Sequence, residues 1–126
     1  MSTSYARKLF GTAALFNGLA GLSILGFGRQ MATLFGFPAP ENLLFSQITG
    51  MVVVLFGIGY AMEARHPGEN RAAVVIGMYG KIGIVVLAAG HVIAGTVNWV
   101  FPALAGADLV YAFLFWRYLS SPGASL

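Results

Sequence analysis

Four long apolar stretches, separated by short polar segments, dominate the hydropathy pattern of the chain. They cover approximately residues 9–27, 43–62, 72–96 and 103–119. A helix that crosses a membrane needs about 20 consecutive apolar residues, so each stretch predicts one transmembrane helix. The pattern therefore predicts an all-α integral membrane protein, a four-helix bundle that forms one domain over residues 1–126.

The segments between these stretches predict the connections. Arg29 to Phe37 mixes apolar and polar residues, which is typical of a short segment lying in the membrane interface. Pro38 ends that segment, and Pro40 suits the first turn of the next helix. Glu63 to Arg71 is the most polar segment and predicts a turn whose charged side chains form solvated pairs. Residues 120–126 are expected to be a disordered tail.

Composition supports the membrane assignment and excludes several functions. Only 9% of the residues are charged and 58% are hydrophobic, whereas soluble domains carry roughly 25% charged residues. The absence of cysteine excludes disulfides, thiolate metal sites and thiol catalysis. A net charge of +3, scattered along the chain, builds no face for nucleic acid. No metal site and no cofactor are predicted.

The distribution of basic residues predicts the orientation. Most of them lie on the side that holds the termini and the middle turn: Arg7, Lys8, Arg65, Arg71 and Arg117. The other side has only Arg29. Because cytoplasmic loops are enriched in Lys and Arg, both termini are expected in the cytoplasm. The expected location is the cell inner membrane, crossed several times.

Small residues recur at helical spacing and predict the packing faces of the helices. The first span carries Gly11, Ala14, Gly18 and Gly21 at steps of three and four. The third carries Gly77, Lys81, Ile84, Ala88, His91 and Gly95. Helices in lipid pack closely through small residues, so these stripes are expected to face the bundle interior. Lys81 and His91 should therefore point inward.

Two charged residues interrupt spans that should hold none. Lys81 lies about 14 Å from the cytoplasmic end of the third span, at ~1.5 Å per residue, and Asp108 lies at the same depth in the fourth. Asn17 in the first span is nearly level with both and can hydrogen-bond either. An unpaired charge at the bilayer centre costs at least ~2.5–3.5 kcal/mol, which favours a neutralising pair.

Three interpretations of this pair remain open. It is a structural ion pair that sets helix register, or it lines a cavity for a ligand or a proton. In the third, Lys81 extends along its own helix toward the membrane surface.

Two further residues complete the set of candidate ligand-binding positions. His91 lies nearer the outer surface, either as an ordinary interfacial residue or as a second polar layer above Lys81. Tyr111 could extend the polar lining, as could Tyr60 and Tyr79, although aromatic packing also explains each of them. The candidate ligand-binding residues are therefore Asn17, Lys81, His91, Asp108 and Tyr111.

Short motifs in three of the spans resemble the small four-helix bacterial membrane proteins called DoxX-like. The motifs are Arg7 followed by the glycine-rich segment Leu9–Gly21, Gly80-Lys81, and the segment from Gly106 to Phe115. The namesake of that family is similar to a membrane subunit of a quinone-linked thiosulfate oxidoreductase. The resemblance implies an accessory role near quinones.

The sequence favours a small membrane bundle that binds a hydrophobic molecule, such as a quinone or a lipid, or that supports a partner membrane complex. A partner protein or a homo-oligomer is compatible with that interpretation. One alternative is an intramembrane isomerase or cyclase, with Asp108 as general acid or base and Lys81 tuning its proton affinity. Another is a proton-coupled transporter, which at this size usually needs a dimer. No known catalytic motif is present in the sequence.

Overall fold

The computed structural model describes residues 2–121. Those residues form the helices α1 (Thr3–Gly26), α2 (Gly28–Phe35), α3 (Leu44–Arg65), α4 (Arg71–Ala94) and α5 (Val100–Ser120). The helices α1, α3, α4 and α5 are each long and apolar enough to cross a membrane. The prediction of an all-α protein with four spans is confirmed, and the segment expected at the interface forms α2.

The helices extend beyond the apolar stretches at both chain ends. α1 begins at Thr3 rather than at Leu9, because the Ser2 hydroxyl accepts a hydrogen bond from the Tyr5 amide and caps the helix. A helix end outside the hydrocarbon need not be apolar, so hydropathy underestimates its length. At the other end Ser120 still belongs to α5, and residues 122–126 of the predicted tail lie outside the described part of the chain.

Glycines end two of the helices. Gly36 follows α2 with φ of 82°, and Gly95 follows α4 with φ of 73°. This left-handed conformation is unfavourable for residues with a Cβ atom, and it lets the amides after the helix bond back to its last carbonyls. At the end of α2, the amides of Gly36 and of the residue after it donate to the carbonyls of Thr33 and Ala32. The chain therefore turns sharply at both positions.

The spans pack as two close pairs, α1 with α3 and α4 with α5. Gly21 and Gly50 bring α1 and α3 together, because a Cβ at Gly50 would lie 2.6 Å from the Leu25 nitrogen. The predicted small-residue stripe of α1 is only partly correct. A Cβ added at Gly11 or at Gly18 would meet no neighbouring atom within 4 Å, although the Gly18 nitrogen itself lies near Gly57 of α3. The contact with α3 therefore includes Gly21 and the backbone at Gly18, whereas Gly11 is exposed.

The hydrophobic core lies at one end of the bundle, where the two pairs meet. Each span contributes a side chain that is fully or almost fully buried: Phe10, Tyr60, Val74 and Phe115. The rings of Phe10 and Tyr60 both contact Phe115, with centroids 5.0 and 5.1 Å apart. We call this the turn end, because the α3–α4 turn lies there, and the opposite end the α2 end.

Glu63 stabilises the turn end through hydrogen bonds, and its burial contradicts one prediction. Its side chain is 0% exposed, so it does not form a solvated pair. Its carboxylate accepts hydrogen bonds from the amides of Gly68 and Asn70, at 3.1 and 2.9 Å, and from the Tyr118 hydroxyl at 2.7 Å. One carboxylate thus links α3, the turn and α5. Glu69, by contrast, is exposed and lies 3.9 Å from the His66 ring nitrogen.

Candidate functional site

A cavity of about 640 Å³ lies between the helices on the α2 side of the core. Its volume is within the range of ligand pockets, about 300–1,000 Å³. The walls are mostly apolar residues of all four spans, and α2 closes one end with Met31 and Phe35. Leu19 and Leu104 line the cavity and are 60% and 45% exposed. The cavity therefore opens sideways between helices, toward the region that lipid would occupy.

The α2 closure is held by the loop between α4 and α5. The backbone amide and side-chain amide of Asn98 donate hydrogen bonds to the carbonyls of Phe35 and Leu34, at 2.9 and 2.8 Å. The Phe35 ring also packs edge-on against Phe101 at the start of α5, with centroids 5.2 Å apart. These contacts fix the short helix across the gap between the two helix pairs.

The inner end of the cavity carries a polar cluster centred on Lys81. The Lys81 Nζ atom lies 2.7 Å from the Asp108 Oδ1 atom and 3.0 Å from the Asn17 Oδ1 atom. Lys81 is 4% exposed and Asp108 18% exposed. The predicted ion pair and its contact with Asn17 are both present, and Lys81 points inward rather than along its helix to the membrane surface.

The Asn17 amide is oriented by the neighbouring helix. Its Nδ2 atom donates to the Val53 carbonyl of α3 at 3.2 Å, which leaves its oxygen to accept from Lys81. The hydrogen bonds thus join α3 to α1, α1 to α4, and α4 to α5. A polar network of this kind positions all four spans at one depth.

Three aromatic rings surround the ammonium group. The Nζ atom of Lys81 lies 5.2 Å from the ring centroids of Phe16 and Tyr111 and 5.5 Å from that of Tyr60. Ring faces carry negative electrostatic potential and attract a cation at this distance. The lysine charge is therefore compensated by a carboxylate, an amide oxygen and ring faces in a largely apolar environment.

Tyr60, which the sequence left between polar lining and aromatic packing, belongs to the cavity. Its side chain is 1% exposed and lines the cavity. Side chains on a helix tilt toward its N-terminus, so Tyr60 reaches from near the turn end toward the membrane centre. Gly77 makes room for it, because a Cβ there would overlap the Tyr60 hydroxyl. The match between a tyrosine on one helix and a glycine on the next is a tertiary feature.

Two polar atoms of the cavity have no hydrogen-bond partner among residues 2–121. Asp108 uses only its Oδ1 atom, for Lys81, which leaves its Oδ2 atom unpaired. The Tyr60 hydroxyl also makes no hydrogen bond to a described residue. Among residues 2–121, every side-chain nitrogen or oxygen that is fully buried has a hydrogen-bond partner. The Asp108 Oδ2 atom and the Tyr60 hydroxyl have none, so they are not fully buried. Both residues line the cavity, and a molecule inside it can reach these atoms.

The structure does not bring the remaining predicted site residues into the cavity. Tyr111 contacts the Lys81 ammonium through its ring face but is not part of the lining. His91 is exposed and bonds to Thr96, so the prediction that it points inward is wrong. Ala88 is the last buried residue of α4, and beyond it the same helical face has no neighbour covering it.

No known family model matches this chain, and neither a curated protein nor a solved structure is similar to it. The DoxX-like resemblance stays a prediction.

Proposed function

We propose that this protein binds a small hydrophobic molecule, a quinone or a lipid, from within the membrane. The observation that carries the proposal is the cavity of about 640 Å³ with apolar walls and one polar cluster at its inner end. Ligand pockets typically combine apolar lining with a few convergent polar groups. An amphiphile would place its tail along the walls and its head at Asp108 and Tyr60.

The depth and opening of the cavity support a ligand that arrives from the bilayer. Twelve residues separate Tyr60 from Ile48 along the α3 wall, about 18 Å at ~1.5 Å per residue. That length suits an extended alkyl or isoprenoid tail. In the predicted orientation, with both termini in the cytoplasm of a cell with an inner membrane, the α2 end lies in the outer leaflet. The ligand would then enter from that leaflet.

Two glycines of α4 provide a matched test. A side chain added at Gly80 or at Gly90 meets no atom within 4 Å, and both residues are exposed. Only Gly80 lines the cavity. Gly80→Leu therefore fills the cavity without forcing the backbone apart, and Gly90→Leu adds the same side chain elsewhere on the helix.

The measurement is equilibrium binding of a decyl-substituted benzoquinone to the purified protein in detergent. We expect Gly80→Leu to weaken binding about tenfold or more, since overfilling a packed site costs about 1–3 kcal/mol, and Gly90→Leu to leave it unchanged. Binding that is absent in the unmodified protein, or equal in both variants, would contradict the proposal.

A further inference from the structure

The polar atoms left without partners define the head group that the cavity accepts. The Asp108 Oδ2 atom can only accept a hydrogen bond while the carboxylate is ionised, and the Tyr60 hydroxyl can donate or accept. A hydroxyl group on the ligand satisfies both, since it donates to one atom and accepts from the other. A carbonyl or an ether oxygen leaves the carboxylate oxygen without a donor.

The charge at the inner end of the cavity restricts the head group further. Lys81 and Asp108 are 2.7 Å apart and neutralise each other, so the inner end of the cavity carries no net charge. An anionic head would lie beside the Asp108 carboxylate, and a cationic head would lie beside the ammonium of Lys81. Both placements are repulsive at low dielectric. The head group that fits is neutral.

The side chains around the polar end favour an aromatic head. Phe16 and Tyr60 line the cavity with their rings beside the Lys81 ammonium, and Phe56 also belongs to the lining. Aromatic rings gain from edge-to-face or offset contacts with one another, beyond the area they bury. A flat ring that carries the hydroxyl would fit between these side chains with its oxygen directed at Asp108.

Building on the proposed binding function, we propose that the ligand is a neutral amphiphile with a phenolic head, such as a hydroquinone, whose hydroxyl donates to the Asp108 Oδ2 atom and accepts from the Tyr60 hydroxyl. For a quinone-type ligand, the reduced form should therefore bind more tightly than the oxidised form. The oxidised form has only acceptor oxygens and cannot satisfy the carboxylate.

A pair of matched ligands tests the donor directly. Para-decylphenol and para-decylanisole share ring and tail, and the anisole carries a methyl group in place of the hydroxyl hydrogen. We expect the phenol to bind at least about tenfold more tightly, because a hydrogen bond to a charged acceptor contributes that much or more. For the same reason, the decyl hydroquinone should bind more tightly than the decyl benzoquinone.

Two Tyr→Phe variants locate the effect. Tyr60→Phe should reduce phenol binding by about threefold or more, in line with the loss of a neutral hydrogen bond. It should reduce anisole binding by no more than that factor, since the ether oxygen can accept from the same hydroxyl. Tyr79 is 65% exposed and outside the cavity, so Tyr79→Phe should change neither. Purified Tyr60→Phe should be folded and show a thermal unfolding transition, since the ring and its packing are retained.

The outcomes separate this inference from the function on which it rests. Equal binding of phenol and anisole, with both weakened by Gly80→Leu, would overturn the phenolic head and leave the cavity as a binding site. Phenol binding that is unchanged in Tyr60→Phe would show that Tyr60 does not contact the head group and would contradict the inference. If none of the four ligands binds, the proposed function falls together with the inference.

Discussion

Removing one member of the Lys81–Asp108 pair should strand the other in the membrane. Lys81→Met leaves the Asp108 carboxylate without its cation. Asp108→Asn leaves the ammonium with neutral acceptors only, which are the two amide oxygens and the ring faces. Breaking a buried pair from one side costs about 3–5 kcal/mol, because an uncompensated charge remains. The double variant Lys81→Met with Asp108→Asn leaves no charge, so it should recover most of that loss.

The structure also predicts which single change costs more. Lys81 is 4% exposed and Asp108 is 18% exposed, toward the cavity. A stranded carboxylate therefore retains some access to polar molecules, whereas a stranded ammonium retains almost none. We expect Asp108→Asn to lower the free energy of unfolding by about 5 kcal/mol and Lys81→Met by about 3 kcal/mol, the two ends of the range for breaking a buried pair.

The assay is reversible unfolding of the purified protein in mixed micelles, followed by the fluorescence of Trp99 and Trp116. The four free energies of unfolding form a double-mutant cycle, and a coupling energy of about 2 kcal/mol or more is expected for groups in direct contact. The matched control is Arg117→Met, which removes an exposed cation and should change stability by less than about 0.5 kcal/mol.

Binding measurements on the same double variant distinguish structural from functional roles. A variant that folds and still prefers para-decylphenol would assign the pair to helix register alone. One that folds and loses the preference would assign it to the ligand. If the two single losses simply add, the residues do not interact, and the account of the polar cluster is refuted.

Three further predictions follow from the packing, the turn and the topology. Gly50→Ala should lower the free energy of unfolding by about 1–3 kcal/mol because its Cβ meets backbone atoms of α1, while Gly18→Ala should change it little; equal effects would show that the close-contact face is misassigned. Glu63→Gln should lower the free energy of unfolding by about 1.5–3 kcal/mol, the range for hydrogen bonds to a charged group, and Glu69→Gln, at an exposed position, should leave it almost unchanged. If Glu63→Gln also left the free energy of unfolding unchanged, the stabilising role of that carboxylate would be contradicted. In this cysteine-free chain, Ala39→Cys should react with an impermeant maleimide added to intact cells and Glu69→Cys should not, and the reverse pattern would invert the predicted orientation.

Much of the fold was predictable because the membrane makes local signals strong. About 20 apolar residues in a row have few alternatives to a spanning helix, and all four spans are present. The pairing of Lys81 with Asp108 was predictable for a related reason. A charge in hydrocarbon needs a partner, and helix length alone puts these two at one depth.

The faces of the helices were less predictable. Spacing placed Gly18 and Gly21 on one stripe, yet an added Cβ would meet α3 at Gly21 and not at Gly18, because the position of the neighbouring helix selects part of the stripe. The same limit applies to His91, which shares its stripe with the buried Ala88 and yet is exposed. Lipid and protein neighbours are both apolar, so the sequence pattern does not distinguish a face that contacts one from a face that contacts the other.

The sequence by itself thus determined the class of protein, the number of spans and the charged pair at mid-depth, because these follow from length, hydropathy and the energy of a charge in lipid. Only the tertiary structure decided the rest. It buried Glu63 beneath its turn, set Tyr60 over Gly77, and left a cavity where the two helix pairs separate. These features depend on how the helices cross, which is the sum of many small contacts between residues distant in sequence.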